Sequence, residues 1–278
     1  MAIETQGGWR WRTAPSHPHS VFLLCWFLGG VLLAFIAIPL IALAGYSAAN
    51  LAEVARMADV RAAILLSLEA AFLSATFAAL IGVPLAYVLA RSSFPGKGAV
   101  AALIDLPLAV PHTVAGIGLL MVFGRHGPLG EPLHALVGIK FWGTIAGIVV
   151  AMMFVSAPYT VNAARMGFEA VDPRLEKIAR TLGLGPWRTF MRISLPLAWR
   201  GIMTGITLTY ARSISEFGAV VILVYYPMTA PVKIYELFLR IGLDQAAGAA
   251  VLLLIVSLSL FVLLRYLAHQ RETIRENR

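Results

Sequence analysis

The chain has 278 residues, of which 59% are hydrophobic and only 13% are charged, whereas a soluble domain carries about 25% charge. That balance excludes an ordinary soluble domain, and the formal charge of +8 fits basic loops on the cytoplasmic side of a membrane better than a nucleic-acid partner. The single cysteine, Cys25, lies inside an apolar run, which excludes an internal disulfide and a cysteine-based metal cluster.

In chain order, Trp9, Arg10, Trp11 and Arg12 come first, followed by Pro15 and Pro18. The apolar run at 21–46 is too long for the core of a signal peptide and has no persuasive cleavage site, so it reads as a retained first span with the two Trp residues near the interface. Further runs follow at 62–90, 100–123, 141–162, 201–224 and 246–267. Each reaches the roughly 20 residues a helix needs to cross a bilayer. None alternates with the period of a membrane strand, so helices that satisfy their own backbone are expected. The fold class is thus an all-α membrane protein with about six transmembrane helices.

Breakers punctuate these runs: Gly82 and Pro84 in the second, Pro107 and Pro111 in the third, Pro158 in the fourth. They fit either ordinary irregularity of membrane helices or bent helices lining a cavity. Between runs two and three, Pro95-Gly96-Lys97-Gly98 is a false phosphate loop: Arg91 stands where the first glycine belongs, and Gly98 replaces the Ser or Thr. This stretch therefore supplies no nucleotide-binding loop.

Lys and Arg set the orientation. With both termini inside, cytoplasmic segments hold fifteen of them and external loops (47–61, 124–140, 225–245) hold six, with Arg212 inside a span. The domain reading is a cytoplasmic tail at 1–20, a membrane domain at 21–268 and a second cytoplasmic tail at 269–278.

Charges within spans are costly and point to function or fixed pairing. Arg212 and Glu216 are four residues apart on one helix face and are expected to pair, as a packing device or as part of an anion path, with Glu69 a further candidate partner for Arg212. Pro111 and His112 mark a candidate gate; His112 has no companion ligands for a metal. Outside, Arg125, Lys140, Lys233 and Arg240 are either solvated or a docking surface for an anion or a binding protein.

The longest internal hydrophilic segment runs from 163 to 200. Asp172-Pro173 is a helix start, and Leu175, Ile178, Ala179 and Leu182 follow the spacing of one apolar helix face. Gly183 is placed to end that helix at positive φ, and Gly185-Pro186 restarts the chain before Trp187, Phe190, Met191 and Ile193. Two short helices at an angle are expected, lying on the membrane or inserting into a cytoplasmic partner.

This segment resembles the EAA loop of ATP-binding-cassette importer permeases: Glu-Ala-Ala, three residues, Gly, nine residues, Ile-x-Leu-Pro. Aligned on Gly183, the last element falls on Ile193-Ser194-Leu195-Pro196. The Glu-Ala-Ala positions fall on Lys177, Ile178 and Ala179; the first two depart from the pattern, and Glu176 sits one residue early. The stretch 210–220 looks like the oxyanion branch, and 225–231 is similar to its tungstate/molybdate subgroup.

The resemblance implies a pore-forming permease in the inner membrane that works by alternating access. It implies a homodimer, a pair of cytoplasmic ATPases that hold ATP and Mg, an external substrate-binding protein, and no cofactor on this chain. The coupling loop, 165–198, would act on the ATPase through Glu176, Lys177, Ala179, Leu182, Gly183, Leu184, Trp187, Phe190, Ile193, Leu195 and Pro196. An ion-coupled transporter using Glu69 and Glu216 is the competing class; it leaves the two-helix loop without a purpose. A sulfate permease is the alternative within the family. An intramembrane enzyme finds no support, because Ser213, Ser215 and His112 form no recognisable nucleophile–base arrangement.

Overall fold

The computed structural model describes the backbone of residues 19–276 and the side chains of residues 21–263, and every regular element among them is a helix. The tail through residue 18, with Trp9 and Trp11, lies outside the described residues. The chain divides into two units, 1–46 and 47–278. The first contains nearly all of α1 (His19–Ser47), whose apolar stretch Val21–Ser47 is 27 residues long with a mean hydropathy of 2.7. Its large apolar side chains are exposed, as lipid contact requires.

The second unit begins with α2 (Leu51–Arg56) and the 34-residue α3 (Ala58–Arg91). Then come α4 (Lys97–Ala109) and α5 (His112–Phe123), bent by 113° relative to each other. Pro111 accounts for the bend: it drives Val110 into extended backbone (φ −78°, ψ 131°), so the helix stops and restarts. After α6 (Gly130–Val137) comes α7 (Ile145–Glu169), which continues beyond the expected end at 162. The segment expected in the cytoplasm holds α8 (Pro173–Thr181), α9 (Pro186–Thr189), one π-helical turn (Phe190–Ser194) and α10 (Leu195–Leu197).

The fifth expected span, 201–224, is split. It consists of α11 (Trp199–Ile214) and α12 (Gly218–Leu223), with a break at 215–217. The amphipathic α13 (Ala230–Arg240) precedes α14 (Leu243–Glu276), whose helix carries on through most of the expected C-terminal tail. Among the described residues, four helices are long and apolar enough to cross a membrane, or five counting the bent α4–α5 pair as one.

The centre of this unit is the packing of α3, α7 and α11. Lipid supplies no hydrophobic drive between helices, so close approach and interhelical hydrogen bonds must hold them. Both are present. A Cβ on Gly201 would stand 2.7 Å from the Gly167 Cα, and one on Gly205 would stand 2.9 Å from the Thr160 Cα. Nearby, Ser213 Oγ lies 2.8 Å from Ser156 Oγ and 3.2 Å from Ser74 Oγ, and the Thr160 and Thr209 hydroxyls are 2.6 Å apart. Ile148, Met152, Val155, Ile214 and Val220 fill the space around this polar seam.

Candidate functional site

The two-helix segment after α7 forms as its residues predict. Asp172 accepts a hydrogen bond from Arg174 N (2.8 Å), and Pro173 opens α8. At the other end Gly183 has φ +87°; its N–H donates to Arg180 O and Leu184 N–H donates to Ala179 O, each at 3.0 Å. This double bond pattern closes the helix and needs a residue that tolerates the left-handed region. Nothing crowds Gly183, so its requirement is conformational, not steric.

The loop has two faces. Leu175, Ile178, Leu182 and Trp187 are exposed, Leu182 at 75% and Trp187 at 67%. Around them stand the exposed basic residues Arg174, Lys177, Arg180, Arg188 and Arg192. The opposite face is turned into the membrane unit. Ala179 and Glu176 are buried, and Leu195 packs with Phe168, Val171 and Ala198. Phe190, expected to fill a partner's groove, instead lies edge-on to Tyr87 with ring centroids 4.8 Å apart. Leu184, Ile193 and Pro196 are half-buried. Of the expected coupling residues, Leu182, Lys177 and Trp187 therefore face outward, Gly183 sets the angle, and Glu176, Ala179, Phe190 and Leu195 anchor the loop.

Glu176 is held by residues that no local pattern singles out. It accepts from Arg91 Nε (2.8 Å), Ser194 Oγ (2.8 Å) and, more weakly, Tyr87 Oη (3.3 Å). Arg91 also donates to Val171 O at 2.8 Å. Burial works against the charged carboxylate, but the hydrogen bonds from Arg91 and Ser194 outweigh it and hold the Glu176 pKa below its ordinary 4.5.

A second cluster sits where the two broken helices meet. Arg212 Nη2 donates to Glu216 Oε2 at 2.8 Å, as the spacing predicts. His112 joins the pair, with Nδ1 2.8 Å from Arg212 Nη2 and 3.1 Å from Glu216 Oε2. Glu216 Oε1 accepts from Ala219 N (2.9 Å) across the break between α11 and α12. A Cβ on Gly218 would be 2.7 Å from the His112 Cβ, so the two breaks press against each other. Glu69 is not part of this cluster: it is exposed on α3 and makes no ion pair among the described residues. The sequence pairing of Glu69 with Arg212 is thereby corrected; on the α3 face that packs against α7 and α11 stand Ala70, Ala71 and Ser74 instead.

On the expected external side, Lys233 pairs with Asp59 (2.7 Å) and Glu236 (2.6 Å), and Arg240 also pairs with Glu236. These two cations are already neutralised. Arg125 and Lys140 instead line an open depression of 470 Å³ with His126, Glu131, His134 and Trp142.

Bent apolar helices stapled by a buried carboxylate, together with an exposed apolar two-helix loop, are the parts of a multi-pass membrane transport subunit. The chain belongs to the family of binding-protein-dependent transport system inner membrane components, whose model matches residues 82–273. It is 44% identical over 247 residues to the molybdate/tungstate transport system permease protein WtpB of Thermococcus kodakarensis, covering 88% of this chain and 94% of that one. It is 39% identical over 206 residues to the molybdenum transport system permease protein ModB of Escherichia coli, covering 73% and 90%. Among solved structures, a bacterial ABC transporter involved in the import of the acidic polysaccharide alginate matches in fold, with a TM-score of 0.72 at 16% identity over 91% of this chain and 96% of that one.

Proposed function

We propose that this permease imports molybdate or tungstate. In this reading it works as a homodimer with both termini in the cytoplasm, driven by a separate pair of ATPase subunits and fed by an external binding protein. The carrying observation is the 44% identity to a molybdate/tungstate permease over nearly the whole of both chains. The structure adds a surface suited to the partner: four exposed apolar side chains on α8 and α9 ringed by basic residues, which fit a groove with an apolar floor and an acidic rim.

ATP and Mg belong to the ATPase; its closure draws the two loops together. Gly183 fixes the angle at which α8 and α9 meet the groove. The broken helices at Pro111 and at 215–217 supply the bends about which the pathway opens alternately outward and inward, with His112, Arg212 and Glu216 keeping the two bends in step. The depression at Arg125 and Lys140 is a basic feature of the external face that a binding protein could use.

The test is radiolabelled tungstate uptake by proteoliposomes holding this chain and its ATPase, with ATP inside and the binding protein outside. Uptake that needs ATP and is blocked by molybdate but not by sulfate is expected. Uptake of sulfate alone corrects the substrate. Uptake driven by a proton or sodium gradient without any ATPase contradicts the reading.

A further inference from the structure

The ends of α8 connect through short turns to α7 on one side and, through α9 and α10, to α11 on the other. Movement of the loop therefore reaches those two helices through the covalent chain. It does not reach the cytoplasmic end of α3 that way, because Arg91 and Glu176 are 85 residues apart in sequence.

At that end the structure has a built joint. One carboxylate, in a residue 5% exposed, gathers Arg91 and Tyr87 from α3, Ser194 from the π-helical turn and its own helix α8. Arg91 ties in the turn before α8 through Val171 O. Beneath these bonds the rings of Tyr87, Phe168 and Phe190 stack within 6.1 Å of one another. The extra residue of the π-helical turn ends at Ser194, which points its hydroxyl into the joint. The carboxylate faces away from the exposed apolar patch, so it cannot act by touching a cytoplasmic partner.

We propose that Glu176 is a positioning residue that latches the coupling helix to the end of α3, so that the loop and this span move as one body. The latch rests on the reading of the chain as an ATP-driven importer. It assigns Glu176 to transmission, and leaves recognition of the ATPase to Leu182, Trp187 and their neighbours. A buried carboxylate with every bond satisfied resists separation from its arginine, which is what a link under alternating load requires.

The test uses the full complex in proteoliposomes with Cys25→Ser as background. Glu176→Gln is expected to keep assembly with the ATPase and ATP hydrolysis, while the number of anions moved per ATP falls about tenfold. The exchange Arg91→Glu with Glu176→Arg is expected to restore much of that ratio. Spin labels at Ser92→Cys and Thr181→Cys should keep the same within-protomer separation with and without ATP in the parent, and spread to several in the Gln variant. The gentler Tyr87→Phe should shift the ratio in the same direction by less. The proposal is overturned if Glu176→Gln keeps the parental ratio, or if hydrolysis and uptake fall in equal proportion in both variants, as a merely structural defect would make them. If the parent itself shows no ATP-dependent uptake, the importer reading fails instead.

Discussion

Arg91–Glu176 and Arg212–Glu216 share a contact distance of 2.8 Å, and in both the glutamate is buried. They differ in what they join. The first crosses 85 residues and ties the α8 loop to the end of α3. The second spans one helical turn and closes a break, with His112 bringing in the other broken helix. Their surroundings differ as well. Water can hydrate the first pair if the loop lifts away. The second lies within expected spans, where each unpaired charge costs about 2.5–3.5 kcal/mol on insertion scales. A pair near water suits a joint between parts that carry motion; a pair at membrane depth suits a staple that stays shut.

The largest effect should come from breaking the staple. Glu216→Ala removes a fully buried carboxylate and leaves the half-buried Arg212 without its partner; breaking a buried pair typically costs about 3–5 kcal/mol. A clear fall in the thermal midpoint of the detergent-solubilised protein is expected, larger than for Glu176→Ala; equal falls would erase the distinction between the two pairs. Next is Gly183→Val. A β-branched residue at φ +87° is strained by about 1–2 kcal/mol, and the angle of the loop changes while the membrane helices do not. The protein should insert and bind lipid normally, yet lose most ATP-driven uptake.

Trp187→Ala should weaken association with the ATPase about tenfold or more, read by titration of the purified subunits, because an exposed tryptophan in an apolar patch is the usual anchor of an interface. A smaller and pH-dependent effect concerns the joint. The Glu176 pKa is lowered on folding, so its contribution is fully present above pH 4.5 and disappears only as the pH drops through the lowered value. The within-protomer Ser92–Thr181 label separation should therefore stay constant from neutral pH down to mildly acidic pH. The smallest effect is expected at Arg240→Ala, whose side chain is 74% exposed and where Glu236 keeps Lys233: little or no change in the thermal unfolding midpoint.

Much of this was legible in the residues because the signals are local. Asp172-Pro173, Gly183 and the spacing of Leu175, Ile178 and Leu182 define α8 and its ends, and the structure follows them. The four-residue interval of Arg212 and Glu216 correctly predicts their bond. Hydropathy finds apolar runs but is blind to their breaks, so 201–224 reads as one span although the helix stops at Ile214 and restarts at Gly218. Long-range partners leave no local trace. Nothing near Arg91 points to Glu176, and nothing near Phe190 reveals that it turns toward Tyr87 and away from a partner. Glu69 shows the same limit from the other side, since a charge in a span signals the need for polar surroundings without naming them.

The most direct test of the two-faced loop is a cysteine scan in membranes that contain this chain and its ATPase, in a Cys25→Ser background. A short crosslinker on Leu182→Cys and Trp187→Cys should capture the ATPase, and the same reagent on Glu176→Cys and Phe190→Cys should not. Capture from Glu176 or Phe190, with none from Leu182 or Trp187, would contradict the assignment of the exposed face to the partner and the buried face to α3.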